Sequence, residues 1–188
     1  MTVFTRILPV IFAGLCILAP AQATETRWID SVSATIGKDD NSNNTDLYRL
    51  GLQNKWNRTW FNDGAWYLGG YWDLEAAYWD SDYDTDNSLY EVSLTPVLRL
   101  QRDTGLSQTV SPFTELGVGG HLLSDREIGK RDLSSKFQFG LHMGLGLGFG
   151  DKGRYNLMYR YQHLSNANTK SPNQGINFHL VSFGYAFE

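Results

Sequence analysis

The sequence predicts an all-β protein, an eight-stranded antiparallel transmembrane β-barrel of the outer membrane. Large apolar side chains alternate with small or polar ones over eight separate stretches of the 188 residues. Beyond the extreme N-terminus there is no run of 18 or more apolar residues, so no helix is expected to cross a bilayer. Within the stretches Arg49, Asp73, Glu75, Glu91, Arg99, Glu115, Arg154 and Arg160 all keep to the face opposite the apolar one.

Taken in chain order, residues 1–23 read as a signal peptide. Arg6 supplies the basic start, Ile7 to Ala19 the apolar centre, and Ala21-Gln22-Ala23 a small-residue cleavage site. The one cysteine, Cys16, lies inside this segment after Leu15, where a lipoprotein signal requires a small residue. Residues 24–188 are then expected to form the barrel, as one domain without disulfides.

Strands are expected near 28–37, 46–56, 65–79, 89–101, 110–122, 136–149, 154–166 and 175–187. In the second, Leu50, Leu52 and Trp56 oppose Arg49, Gln53 and Lys55; in the third, Trp66, Leu68, Trp72 and Leu74 oppose Tyr71, Asp73 and Glu75. The fourth sets Val92, Leu94, Pro96, Leu98 and Leu100 against Glu91, Ser93, Thr95 and Arg99. The sixth is the most regular: every odd position from Phe137 to Phe149 is large and apolar, and Gln138, His142 and four glycines stand between. Only a strand has this period of two. The last ends Val181, Phe183, Tyr185, Phe187, like the terminal strand signal of outer-membrane barrels.

A soluble sandwich would turn the apolar faces inward; a membrane barrel turns them to lipid and fills its interior with polar side chains. Stretches of this length suit tilted spanning strands of roughly 9–11 residues. Aromatics at the ends of the faces (Trp66, Tyr78, Phe137, Phe149, Tyr155) fit interfacial girdles. A barrel of eight strands has no pore. An even strand number puts both termini in the periplasm, makes Gly150 to Gly153 a periplasmic turn, and makes 38–45, 80–88, 123–135 and 167–174 external loops.

Composition removes other classes. A net charge of −4 without a basic cluster argues against nucleic acid as a partner. Aromatics at 14% and hydrophobics at 41% exclude a disordered chain. Gly144-Leu145-Gly146-Leu147-Gly148 lies within a strand, so it supplies small inward side chains and no phosphate cradle. Asp80, Asp82, Asp84 and Asp86 with Glu91 resemble a calcium loop in spacing, but Thr85 stands where the loop needs glycine; a solvated acidic loop is expected. His121 and His142 are expected in a loop and the barrel interior, and no metal site or cofactor is expected.

One constellation carries chemistry. In the seventh strand Tyr155, Leu157, Tyr159 and Tyr161 share a face, and parity continues that face to His163 and Ser165. An imidazole and a hydroxyl therefore stand together on the lipid-facing side at the external end of a strand. A strand that has emerged among headgroups could carry such polar residues without catalysis.

Tyr161-Gln162-His163-Leu164-Ser165-Asn166-Ala167-Asn168, followed by Lys170, Pro172-Asn173 and Gly175-Ile176, resembles the signature of the PagL-type lipid A 3-O-deacylases. Looser likeness extends to Gly70-Tyr71-Trp72-Asp73 and Pro112-Phe113-Thr114-Glu115. The resemblance implies an outer-membrane barrel with a serine-histidine-acid triad on its outer surface, removing the ester-linked 3-position acyl chain of lipid A. It implies Ser165 as nucleophile and His163 as general base. Asn173 and the amide of Asn168 would stabilise the oxyanion, with Asn166 beside them in the binding set. Where the best-known member has an acid, fourteen residues after the histidine, this chain has Asn177.

If the last hairpin closes near residue 170, residues whose numbers sum to about 340 face each other: His163 opposite Asn177, and Tyr161 opposite His179. Asn177 would then orient the imidazole, and a carboxylate in its place is expected to preserve or raise turnover. The reading is a serine esterase without cofactor whose substrate is lipid A in lipopolysaccharide. Its rivals are a non-catalytic barrel that binds lipopolysaccharide or supports the membrane, and an esterase acting on phospholipid.

Overall fold

The computed structural model describes residues 27–40, 44–61, 63–82, 87–102 and 110–187. The expected signal peptide, 1–23, lies outside them, as do Asp84 and Asp86 of the acidic loop. The strands are β1 (Ser31–Asp39), β2 (Thr45–Lys55), β3 (Trp66–Ser81), β4 (Asn87–Arg102), β5 (Val110–Leu123), β6 (Glu127–Ile128), β7 (Arg131–Asp132), β8 (Phe137–Phe149), β9 (Tyr155–Ser165) and β10 (Ile176–Ala186). Eight of them close into an antiparallel barrel in the order β1-β10-β9-β8-β5-β4-β3-β2, and β6 and β7 pair separately.

Each expected strand is present, with ends moved by up to three residues. The largest change is in β1, expected at 28–37 and found at Ser31–Asp39. Lys38 and Asp39 read as loop by their charge, yet they pair with His179 and Phe178 across the closing seam. Ladder pairing thus overrides composition. The β6–β7 hairpin, inside the stretch expected to be a plain loop, and the Trp60–Leu68 bridge are pairings the alternation did not announce.

The molecule is inside-out relative to a soluble domain. On β8, Phe139, Leu141, Met143, Leu145 and Leu147 are exposed on the outer wall, while Gln138 and His142 point inward and are buried. In the interior Arg49 pairs with Glu75 at 3.3 Å and Glu91 at 3.0 Å, and Arg160 with Glu75 at 3.1 Å and Asp73 at 3.4 Å. An apolar outer belt around a paired polar interior is the arrangement lipid selects. His121, expected in a loop, joins this interior, its Nδ1 2.6 Å from Glu91 Oε1.

Toward one rim the filling changes. Leu47, Trp79, Leu89, Leu123, Leu164, Ile176, Phe178 and Leu180 form an apolar cluster that Ile128 and Leu133, from the β6–β7 segment, complete. That rim carries Asp40, Asn44 and Asp82 beside the strand ends, and the connections 124–136 and 166–175. At the opposite rim lie both ends of the barrel chain and the turn over Asp151–Gly153.

Candidate active site

The β9–β10 hairpin pairs Asn177 with His163 and His179 with Tyr161, the register expected from a closure near residue 170. His163 is exposed on the outward face and Ser165, two residues along that face, is half-buried. His163 Nδ1 lies 2.5 Å from Asn177 Oδ1. Among the described residues no hydrogen bond joins Ser165 to His163; such contacts often tighten only when substrate is bound.

The connection after Ser165 is a tight turn. Ala167 and Asn168 take φ of 52° and 61°, and Asn166 O accepts from Thr169 N at 3.1 Å. Asparagine tolerates this left-handed conformation better than most residues, which suits position 168 to Asn or Gly. Asn173 Oδ1 accepts from the Asn166 N–H at 3.1 Å, and its Nδ2 donates to Asn168 Oδ1 at 2.9 Å. Asn173 is thereby held with its amino group turned toward Asn168. The Asn166 side chain is buried and donates to the carbonyls of Leu133 and Lys170, each at 3.1 Å. Asn166 therefore fastens the turn, with its side-chain amide turned into the protein.

The β6–β7 hairpin braces this connection from the side. Ser134 Oγ donates to Pro172 O at 2.6 Å, Asp132 N to Gln174 Oε1 at 3.0 Å, and Arg131 to the carbonyl of Gly175. Gly175 has φ +56°, and a Cβ there would stand 3.0 Å from His163 Cε1, so the imidazole rests against bare backbone. None of this bracing had a signal in the local sequence pattern.

Asp40 also lies outside the expected set. In the residue after β1 the backbone N–H donates to Asn177 O at 3.1 Å, and the exposed carboxylate receives Asn177 Nδ2 and the Tyr161 hydroxyl on Oδ2, each at 3.0 Å. Asp40, Asn177 and His163 form one row across three strands. His179 is engaged elsewhere, its Nδ1 2.6 Å from the Tyr159 hydroxyl. Asp125 is an exposed cap whose carboxyl is held below the usual range by the N–H groups of Arg126 and Glu127.

An oriented histidine beside a serine, with amide donors on the following turn, can carry out acyl transfer. The family described as lipid A 3-O-deacylase (PagL) matches residues 46–186. The lipid A deacylase PagL of Pseudomonas aeruginosa is 32% identical over 166 residues, covering 88% of both chains. That of Bordetella bronchiseptica is 30% identical over 128 residues, covering 64% of this chain and 67% of its own. The solved structure of the outer membrane enzyme PagL superposes with a TM-score of 0.74 at 29% identity, covering 84% of this chain and 99% of that one.

Proposed function

The chain belongs to the lipid A 3-O-deacylase family of outer-membrane barrel enzymes, and from that premise we propose that it cleaves the 3-position acyl ester of lipid A with Ser165 and His163. The observation that carries the assignment is the hydrogen bond from His163 to Asn177 on the outward face, beside Ser165. With its Nδ1 proton directed to the Asn177 carbonyl, the ring keeps the Nε2 lone pair available to a base's task.

Ser165 Oγ attacks the ester carbonyl as its proton passes to His163 Nε2. The tetrahedral oxyanion takes hydrogen bonds from Asn173 Nδ2, which has a second N–H beyond the one given to Asn168, and from the Asn168 amide. His163 then protonates the departing 3-hydroxyl oxygen of the sugar, leaving an acyl-serine. Water, deprotonated by the same imidazole, releases the fatty acid and restores the serine. Asn166 acts in this scheme by holding the turn.

The setting fits a lipid substrate. Along the same wall Leu145, Leu147, Leu157, Tyr159 and Val181 line a shallow apolar groove, and acyl chains lying against that wall would bring an interfacial ester level with Ser165. In this orientation the rim that carries the site faces the outer leaflet, and residues 1–23 serve export. Mass spectrometry of lipid A from cells with the protein, without it, and with Ser165→Ala tests the proposal. Loss of one 3-hydroxyacyl group in the first alone is expected; the same loss with Ser165→Ala would overturn the nucleophile assignment.

A further inference from the structure

We infer that Asp40 is the acid of this site, a positioning residue acting through Asn177, two hydrogen bonds removed from His163. The inference rests on the esterase reading above. Asn177 presents two unlike ends to its row: Oδ1 stands 2.5 Å from His163 Nδ1, and Nδ2 stands 3.0 Å from Asp40 Oδ2. A carboxamide could in principle face the imidazole with either end. With the amino end toward His163, the ring would have to accept at Nδ1 and carry its proton on Nε2, where it cannot take one from Ser165.

A carboxylate removes that ambiguity because it has no proton to offer. It accepts only, so it holds the amino end of Asn177 and turns the carbonyl to His163. Asp40 is itself fixed on two sides, by the Tyr161 hydroxyl at 3.0 Å and by its own N–H on Asn177 O at 3.1 Å. Its charge, relayed through a polarised amide, also favours the imidazolium that forms when Ser165 is deprotonated. The site thus keeps the negative charge of a serine-histidine-acid arrangement, moved from β10 to the end of β1.

This arrangement reverses the effect expected of a carboxylate at position 177. Beside Asp40 it would set two acids against each other with no hydrogen between them, and one would take up a proton.

The test is an exchange of the acid and the amide in the full-length protein, folded in outer membranes, using variants of unchanged side-chain size. Asp40→Asn leaves two amides that can turn together, and kcat is expected to fall about tenfold or more as the wrong histidine tautomer is populated, with KM little changed. Asn177→Asp alone is expected to fall by a similar factor. The double variant Asp40→Asn/Asn177→Asp, which restores an acid, an amide and the hydrogen bond between them, is expected to return to within about threefold of the parent. In the parent, ¹⁵N spectra of His163 should show protonated Nδ1, and in Asp40→Asn a mixture.

If Asp40→Asn keeps parental kcat, or if the exchanged pair is no more active than the worse single variant, the inference is wrong while loss of activity in Ser165→Ala leaves the esterase reading standing. Parental activity in Ser165→Ala and His163→Ala removes both.

Discussion

His163 and His179 occupy neighbouring rungs of one outward face, the first on β9 opposite Asn177 and the second on β10 opposite Tyr161. Each has its Nδ1 close to an oxygen, 2.5 Å from Asn177 Oδ1 in one case and 2.6 Å from the Tyr159 hydroxyl in the other. The oxygens differ in kind. A phenol donates or accepts and so suits either tautomer of His179, whereas a carbonyl only accepts and requires the proton on His163 Nδ1. The surroundings differ too: His179 lies against the rings of Tyr159 and Tyr161, with centroids 6.0 and 5.2 Å away, while His163 rests on the bare backbone of Gly175 with Ser165 beside it. An imidazole becomes a usable base through the acceptor behind it and the open, polar space before it.

The two rungs are expected to differ most at the proposed pair of Ser165 and His163. Ser165→Ala and His163→Ala are each expected to lower release of 3-hydroxy fatty acid by about a thousandfold or more, and the double variant to be no worse than either, because the two act as one unit. Next comes Asn177→Ala, which leaves His163 with as little tautomer control as His179. A loss of about a hundredfold in kcat is expected, measured by the rate of lipid A deacylation in detergent micelles.

Gly175→Ala is expected to cost about tenfold by displacing the ring. Gly175→Asn should match it, since asparagine accepts the +56° φ but still brings the Cβ that meets His163; full activity in the asparagine variant would assign the glycine to backbone conformation alone. Smallest is His179→Ala, expected to change the rate by about twofold or less and to leave heat-modifiable gel migration unaltered. A large loss there would erase the distinction between the two rungs.

The barrel wall was legible because a period of two, held for 13 residues in β8, admits one secondary structure and the greasy parity names the lipid side. The His163–Asn177 contact was legible because a short connection fixes antiparallel register by arithmetic. Asp40 was not, for the complementary reason: β1 and β10 are joined by no hairpin, so nothing local sets their register, and Lys38-Asp39-Asp40 reads as an ordinary charged loop. The bracing of the site by Arg131 and Ser134 was hidden for the same cause, since these contacts span 38 residues or more. His121, expected in a loop, proved to be inward because the strand carries its parity to Leu123.

The seam between β1 and β10 joins the two ends of the barrel chain, and contacts of such long sequence separation carry the largest closure entropy and are slow to form. Ser165, His163 and Asn177 all belong to the terminal hairpin or its turn, but Asp40 arrives from across that seam. On the assignment proposed above, a chain inserted but not yet closed carries Ser165 and His163 without Asp40. On the same assignment the full rate and the completed wall would then arrive together, with hydrolysis by assembly intermediates held about tenfold or more lower until the first strand meets the last.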